Sequence, residues 1–188
     1  MFKVAGLAAP IDGYEVFIPQ WEVEVAPGGR TTKLNGTVQQ VYRELLLMNP
    51  RYDEDFAVRK PARSAANATS STQGTDWNLG SSICGRWQPT SVQHVREGIG
   101  YLRKVRGQPG SEPGPSRCGR VSCAYNSAIW WCNDDERPKS LSAFEDIANG
   151  AQLLVTRCVE WMNPPPSEFG GQAFHPSRWN VIIRGDSC

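Results

Sequence analysis

The chain has 188 residues, with Lys+Arg 20 against Asp+Glu 19, a formal net charge of +1 and 39% hydrophobic residues. That length suits one ordinary domain, or a smaller domain with an extension. The charge balance lacks the basic excess of a generic nucleic-acid binder, and no stretch reaches the roughly 20 apolar residues of a membrane-crossing helix.

Residues 14–25 read as extended chain, because Glu22 and Glu24 alternate with Val23 and Val25. Pro19 makes the first part an edge or a kink, and Pro27-Gly28-Gly29 makes a turn. Residues 37–48 predict a helix, capped by Asn35 or Thr37, with Val38, Val41, Leu45 and Met48 on one face. Asn49-Pro50 ends it. From Arg59 to Gly74 the composition turns to small and polar residues, the signature of a flexible linker. The organisation expected is an extension over 1–58, a linker over 59–75 and a disulfide-bonded domain over 76–188 that folds by itself.

In that second part, residues 81–87 form a short strand. A helix starts at Pro89-Thr90-Ser91, with Val92, Val95, Ile99 and Leu102 at three- and four-residue steps. Residues 107–117 are rich in Gly and Pro and read as a loop. Residues 118–133 read as a hairpin turning at Asn126-Ser127. That register places Cys123 opposite Trp130, and puts Val121, Cys123, Trp130 and Cys132 on one face. Ser140 caps a long helix whose stripe runs from Leu141 and Phe144 through Ile147, Ala151 and Val155 to Cys158. Residues 171–175 precede a last strand over 179–183. Strand, helix, strand, strand, helix, strand is an α+β order, solved by an antiparallel sheet with two helices on one face.

Cys84, Cys118, Cys123, Cys132, Cys158 and Cys188 all lie in the second part. An even number without a Cys-x-x-Cys pair indicates three disulfides rather than zinc, and hence an extracellular protein. Cys158 continues the long helix's stripe toward the sheet, so Cys123 or Cys132 is its expected partner. Sequons at Asn35-Gly-Thr37 and Asn67-Ala-Thr69 agree with secretion. Met1-Phe-Lys3 and the short apolar run Val4 to Ala9 read as the stub of a signal peptide.

Three segments carry a resemblance. Gly98-Ile-Gly-Tyr-Leu-Arg103, the run from Cys118-Gly-Arg-Val-Ser-Cys123 through Asn126-Ser-Ala-Ile-Trp-Trp-Cys-Asn-Asp134, and the ending Phe174-His-Pro-Ser-Arg-Trp179 to Cys188 resemble a family of small secreted, effector-like fungal proteins. Cysteine order and helix placement are similar, more loosely, to smut-virus killer toxins and necrosis-inducing fungal effectors. The resemblance covers about residues 80–188. It implies a disulfide-bonded α/β sandwich. It also implies a pro-region in front, with Arg59-Lys60 or Arg63-Ser64 as the processing step.

Catalytic patterns are thin. Paired cysteines leave no thiol nucleophile, and no Gly-x-Ser-x-Gly elbow is present. His94 and His175 with an arginine could imitate a ribonuclease site, where two imidazoles trade a proton. Asp134-Asp135-Glu136 supplies oxygen ligands without the spacing of a calcium loop. No metal or cofactor is expected. The seven tryptophans outnumber what a small core hides, so Trp130 or Trp131 is a candidate exposed platform, with His175 nearby as a second candidate. The function expected is a secreted, non-catalytic, monomeric binder of a cell-surface, membrane-protein or glycan target, with no nucleic-acid partner. A secreted hydrolase and a structural extracellular domain are the alternatives.

Overall fold

Trp21 and Val23 are fully buried while Gln20 and Glu22 face water, the alternation that makes this stretch a strand. The computed structural model describes residues 7–57, 77 and 80–188. Strand β1 is Glu15–Phe17, β2 is Gln20–Glu24 and β3 is Thr31–Asn35. Helix α1 (Val38–Met48) starts behind Thr37, whose N–H donates to Gln40 Oε1 at 2.8 Å in a capping box. Val38, Val41 and Leu45 are buried; Met48 is half exposed and lies off the buried stripe. Helix α2 (Tyr52–Ala57) follows at once. The expected linker over 59–75, with the Asn67 sequon, lies outside the described residues.

After β4 (Ser81–Cys84) and β5 (Thr90–Ser91), α3 (Val92–Lys104) buries Val92, Val95, Ile99 and Leu102, as its spacing predicts. The next segment corrects the sequence reading. Gly107–Ser111 is not a loop but a strand, β6, hydrogen-bonded to β2. Its composition hides the strand because its constraint is tertiary: a Cβ on Gly107 would fall 2.0 Å from the Glu22 carbonyl oxygen. Pro109 sits opposite Trp21 and accepts a hydrogen bond from Leu141 N–H.

The hairpin is β7 (Arg117–Ala124) and β8 (Ser127–Asn133). Tyr125 and Asn126 both take positive φ, at 50° and 58°, as a two-residue type I′ turn requires. The turn therefore lies one residue earlier than expected, and Cys123 faces Ala128 rather than Trp130. A bulge between Arg120 and Ser122 resets the register so that Cys118 faces Cys132. The bulge also moves Val121 to the other face, where it joins Ile129 and Trp131 in the main core.

The chain continues through β9 (Lys139–Ser140) to α4 (Phe144–Val155) and a π-turn (Thr156–Glu160). Ser140 does not cap α4; Asp146 does, accepting from Ser142 Oγ at 2.7 Å and Ala143 N–H at 3.2 Å. Strands β10 (Glu168–Phe169), β11 (Gly171–His175) and β12 (Trp179–Gly185) end the fold. One sheet has the order β1-β7-β8-β12-β11-β4, with β1 parallel to β7 and the other pairs antiparallel. A four-stranded sheet runs β3-β2-β6-β9, and β10 pairs with β5. The fold is α+β and bonded by three disulfides, with α3 and α4 on one face of the large sheet.

Residues 7–57 pack into the same core as the cysteine-bearing part. Phe17 stands edge-on to Trp131 at 6.1 Å, and Trp21 stacks on Phe144 of α4 at 4.4 Å. Val38, Val41, Leu45 and Tyr52 belong to the same apolar cluster as α3 and α4. Gln39 binds the hairpin at the bulge, donating to Ser122 Oγ at 2.7 Å and accepting from Cys123 N–H. Cysteine distribution marked a boundary that the hydrophobic core ignores.

Tyr42 of α1 donates to Asp53 Oδ2 at 2.5 Å, under Lys104 of α3. Burial first, then the hydrogen bond and charge of Asp53, push its phenol from 10.0 up to about 12. The neutral form is the one the fold favours. Its contribution to stability is therefore complete below pH 10 and is lost as pH rises through about 12. An NMR titration should show the Tyr42 ring ionising well above the ordinary phenol value of 10.0, and earlier in Asp53→Asn. An unchanged titration in that variant would contradict the assignment.

The disulfides are Cys84–Cys158, Cys118–Cys132 and Cys123–Cys188. Cys158 does point toward the sheet, but α4 lies over β11 and β12, so its last turns reach the edge strand β4 rather than the hairpin. Trp130 and Cys132 share a face as expected. That face is the one away from the helices, packed with Cys118 and Ile182 and covered in part by Leu7, Ile11, Tyr14 and Trp87. Cys84 and Cys158 are 74 residues apart, so replacing both with alanine should cost roughly 4 kcal/mol by the loop-entropy relation. Urea unfolding would measure it; a loss under about 1 kcal/mol would count against a structural role for this bond.

Candidate functional site

Just past the end of α4 two large apolar side chains stand side by side in water. Past Val155, Trp161 N–H reaches back five residues to the Thr156 carbonyl at 3.0 Å, and Met162 N–H bonds the Val159 carbonyl. Cys158 and Val159 stay buried, held by the bond to Cys84, while the wider turn carries the next two side chains outward. Trp161 is 71% exposed and Met162 55% exposed. Pro164-Pro165-Pro166 blocks further helix, and the chain returns through Ser167, whose carbonyl accepts from Val92 N–H at the start of α3.

Between α3 and this turn lies an open groove of about 1020 Å³. Val92, Met162, Pro165 and Pro166 supply its apolar wall, and Gln93, Arg96, Glu97 and Glu160 its polar one. Arg96 pairs with Glu160 Oε1 at 3.0 Å, and Thr156 Oγ1 donates to Glu160 Oε2 at 3.0 Å. Gln93 donates to Glu97 at 3.2 Å. These contacts link the polar side chains of the rim to one another.

The residues singled out from sequence lie elsewhere. Trp130 and Trp131 are both fully buried, on opposite faces of β8, so neither is a surface platform. Five of the seven tryptophans are buried, Trp21, Trp77, Trp130, Trp131 and Trp179, because the front segment enlarges the core beyond the expectation. His175 ends β11, stacks on Trp179 at 4.7 Å, and accepts from Ser177 N–H through Nδ1 at 3.1 Å. His94 stacks on Tyr125 at the hairpin turn. His175 pairs with Trp179 and the hairpin turn adjoins Gly185, so β12 separates the imidazoles by its length, about 20 Å at the usual rise. They do not form a two-imidazole site.

Asp134 accepts from Tyr14 and Asn180, and Asp135 from Lys139 and the Arg137 N–H, so both aspartates of this turn are hydrogen-bonded within the fold. Among the described residues no group of three or more His, Cys, Asp or Glu could hold a metal ion. No cysteine is free and no helix is long and apolar enough to cross a membrane, again among the described residues. Asn35 is exposed at the edge of the small sheet.

Trp161 was legible in principle. Trp161-Met162 lies beyond the end of the buried stripe and directly before Asn163 and three prolines, where an apolar pair has no core to enter. The chain matches no family model, no curated protein and no solved structure.

Proposed function

We propose that this chain is a secreted, non-catalytic, effector-like or killer-toxin-like protein that binds a target on or outside another cell, with Trp161 and Met162 at its contact face. The observation that carries the reading is an adjacent pair of large exposed side chains beside a groove, on a turn pinned by a disulfide. Single exposed apolar residues are ordinary; a contiguous pair on a rigid support suits a binding anchor. Three disulfides agree with an oxidising compartment. The resemblance to small secreted fungal proteins points the same way.

The test applies oxidised protein to fungal and plant cells as wild type, Trp161→Ala, and His94→Ala with His175→Ala. Trp161→Ala should bind cells at least tenfold more weakly with an unchanged melting temperature, as loss of an interface anchor costs about 1.4 kcal/mol or more. The histidine variants, once shown to be folded, should bind as wild type. Activity abolished by the histidine changes alone would favour a hydrolase. Absence of binding to any cell would favour a structural role. Secreted material should also carry a glycan on Asn35 that Asn35→Gln removes, read by intact mass; an unmodified Asn35 would argue against passage through a glycosylating compartment.

A further inference from the structure

We propose that β4 is a pairing edge whose partner is the β4 of a second copy of this chain, so that two large sheets join across a two-fold axis. The outer strands of the two larger sheets are β1, β4, β3 and β9. Sheet edges in proteins are guarded by charge, proline or brevity. β1 carries Glu15, β3 carries Lys33, and β9 is two residues long and carries Lys139. β4 is Ser-Ser-Ile-Cys, with no charge and no proline. Ser81, Ile83 and Cys84 are exposed, Ile83 at 39%.

Main-chain direction selects the register. Gly85 N–H donates to the Gly170 carbonyl at 2.9 Å, and Cys84 stands opposite Gly171. Bonded and non-bonded pairs alternate in an antiparallel ladder, so Ser81 and Ile83 turn their N–H and C=O groups toward β11. Ser82 and Cys84 turn theirs outward, where among the described residues nothing bonds them. A second β4, antiparallel and centred on Ile83, meets all of these groups. Ser82 of each copy then pairs with Cys84 of the other, and each pair exchanges two hydrogen bonds. The two Ile83 residues meet at the axis as a close, non-hydrogen-bonded pair, with Cα atoms about 4.5 Å apart. Their side chains lie on the sheet face away from the helices, in the row of Gln172, Ile182 and Trp130.

β4 is held from the helix side. Cys84 is bonded to Cys158, and Arg157 donates to the Gly80 carbonyl and to Ser82 Oγ, both at 3.2 Å. None of these ties uses the outward main-chain groups. Pairing strands this short buries little surface, which makes the dimer weak and concentration-dependent. A two-fold axis normal to the sheet leaves both α4 helices on the same side of it. The turns bearing Trp161 and Met162 follow those helices, so one dimer holds two copies of the contact face proposed above. Two linked faces hold one cell surface more tightly than one does, a consequence that alone rests on that reading.

The experiment joins sedimentation velocity to a ¹⁵N NMR dilution series on the full oxidised chain, from about 10 µM to 1 mM, the span in which small interfaces associate. The sedimentation coefficient should rise with concentration toward that of a dimer. The Ser82 and Cys84 amides should shift with it and exchange more slowly, while the Ile83 amide, already bonded to β11, keeps its exchange rate. Ile83→Lys sets two like charges at the axis and should weaken association about tenfold or more with an unchanged melting temperature. Ile83→Val should preserve it.

A chain that stays monomeric throughout, or a dimer indifferent to Ile83→Lys, overturns the inference. Protection of the Ser82 and Cys84 amides by cells alone does the same, and makes β4 a contact for a strand of the target. Dimerisation without cell binding would keep the dimer and remove the contact face; cell binding by a chain that never dimerises would keep the face and remove the dimer.

Discussion

A chain beginning at Asp76 is expected to show no cooperative melt, even with its three disulfides formed. Removing the front segment takes away Phe17, Trp21, Val23, Leu34, Val38, Val41, Leu45 and Tyr52, all of them buried. At roughly 1.5–3 kcal/mol for each of these eight side chains, the burial lost is about 12–24 kcal/mol, as large as the whole net stability of about 5–15 kcal/mol that a domain retains. It also strips β1 from β7 and β2 from β6, and uncovers Trp131 and Phe144. The cross-links restrict the unfolded chain, but they cannot fill the space left. Near-UV circular dichroism during heating reads this directly. A sharp transition in the shortened chain would restore the front segment to the status of a pro-region.

Trp21→Ala should be the most damaging single substitution in that segment, at about 3–5 kcal/mol. Trp21 is fully buried, its ring stacks on Phe144 with planes 23° apart, and its Nε1–H donates to the Gly36 carbonyl at 2.7 Å. The alanine leaves a cavity between the small sheet and α4, and leaves the Gly36 carbonyl without its indole donor. Trp21→Phe should cost less. A double-mutant cycle with Phe144→Ala should return a coupling of about 0.5–1.5 kcal/mol. Urea unfolding would supply all four values. Strict additivity would mean that the two rings do not stabilise each other and that the front segment is held by its strands alone.

Elements governed by neighbours in sequence were legible. The spacing of Val92, Val95, Ile99 and Leu102, and of Phe144, Ile147, Ala151 and Val155, shows two buried helix faces without any tertiary information. The hairpin was legible as a hairpin; its register was not. Asn126-Ser127 is the commoner turn pair, and placing Tyr125 at positive φ is a choice the surrounding strands impose. The bulge at Val121 leaves no mark in the residue types. Gly107–Ser111 reads as a breaker run, because what makes it a strand is β2, some eighty residues earlier.

The same limit explains the site. Counting tryptophans against a core of about 110 residues made Trp130 and Trp131 look like surplus, but the core also holds the front segment and has room for both. Which tryptophan is left outside follows from where α4 stops being covered, and that depends on β4 and the Cys84–Cys158 bond. The two histidines could be judged only once β12 had placed them at its opposite ends.

Hydroxyl-radical footprinting on intact cells is the most direct test of the binding face. The oxidised chain is exposed free and cell-bound, and side-chain oxidation is read by mass spectrometry. Free, Trp161 and Met162 should be among the most reactive residues, with Tyr125 and Met48 as exposed references elsewhere on the surface. Bound, Trp161 and Met162 should lose most of that reactivity while Tyr125 and Met48 keep theirs. Protection at Tyr125 or Met48, with Trp161 and Met162 still fully reactive on the cell, would contradict the account.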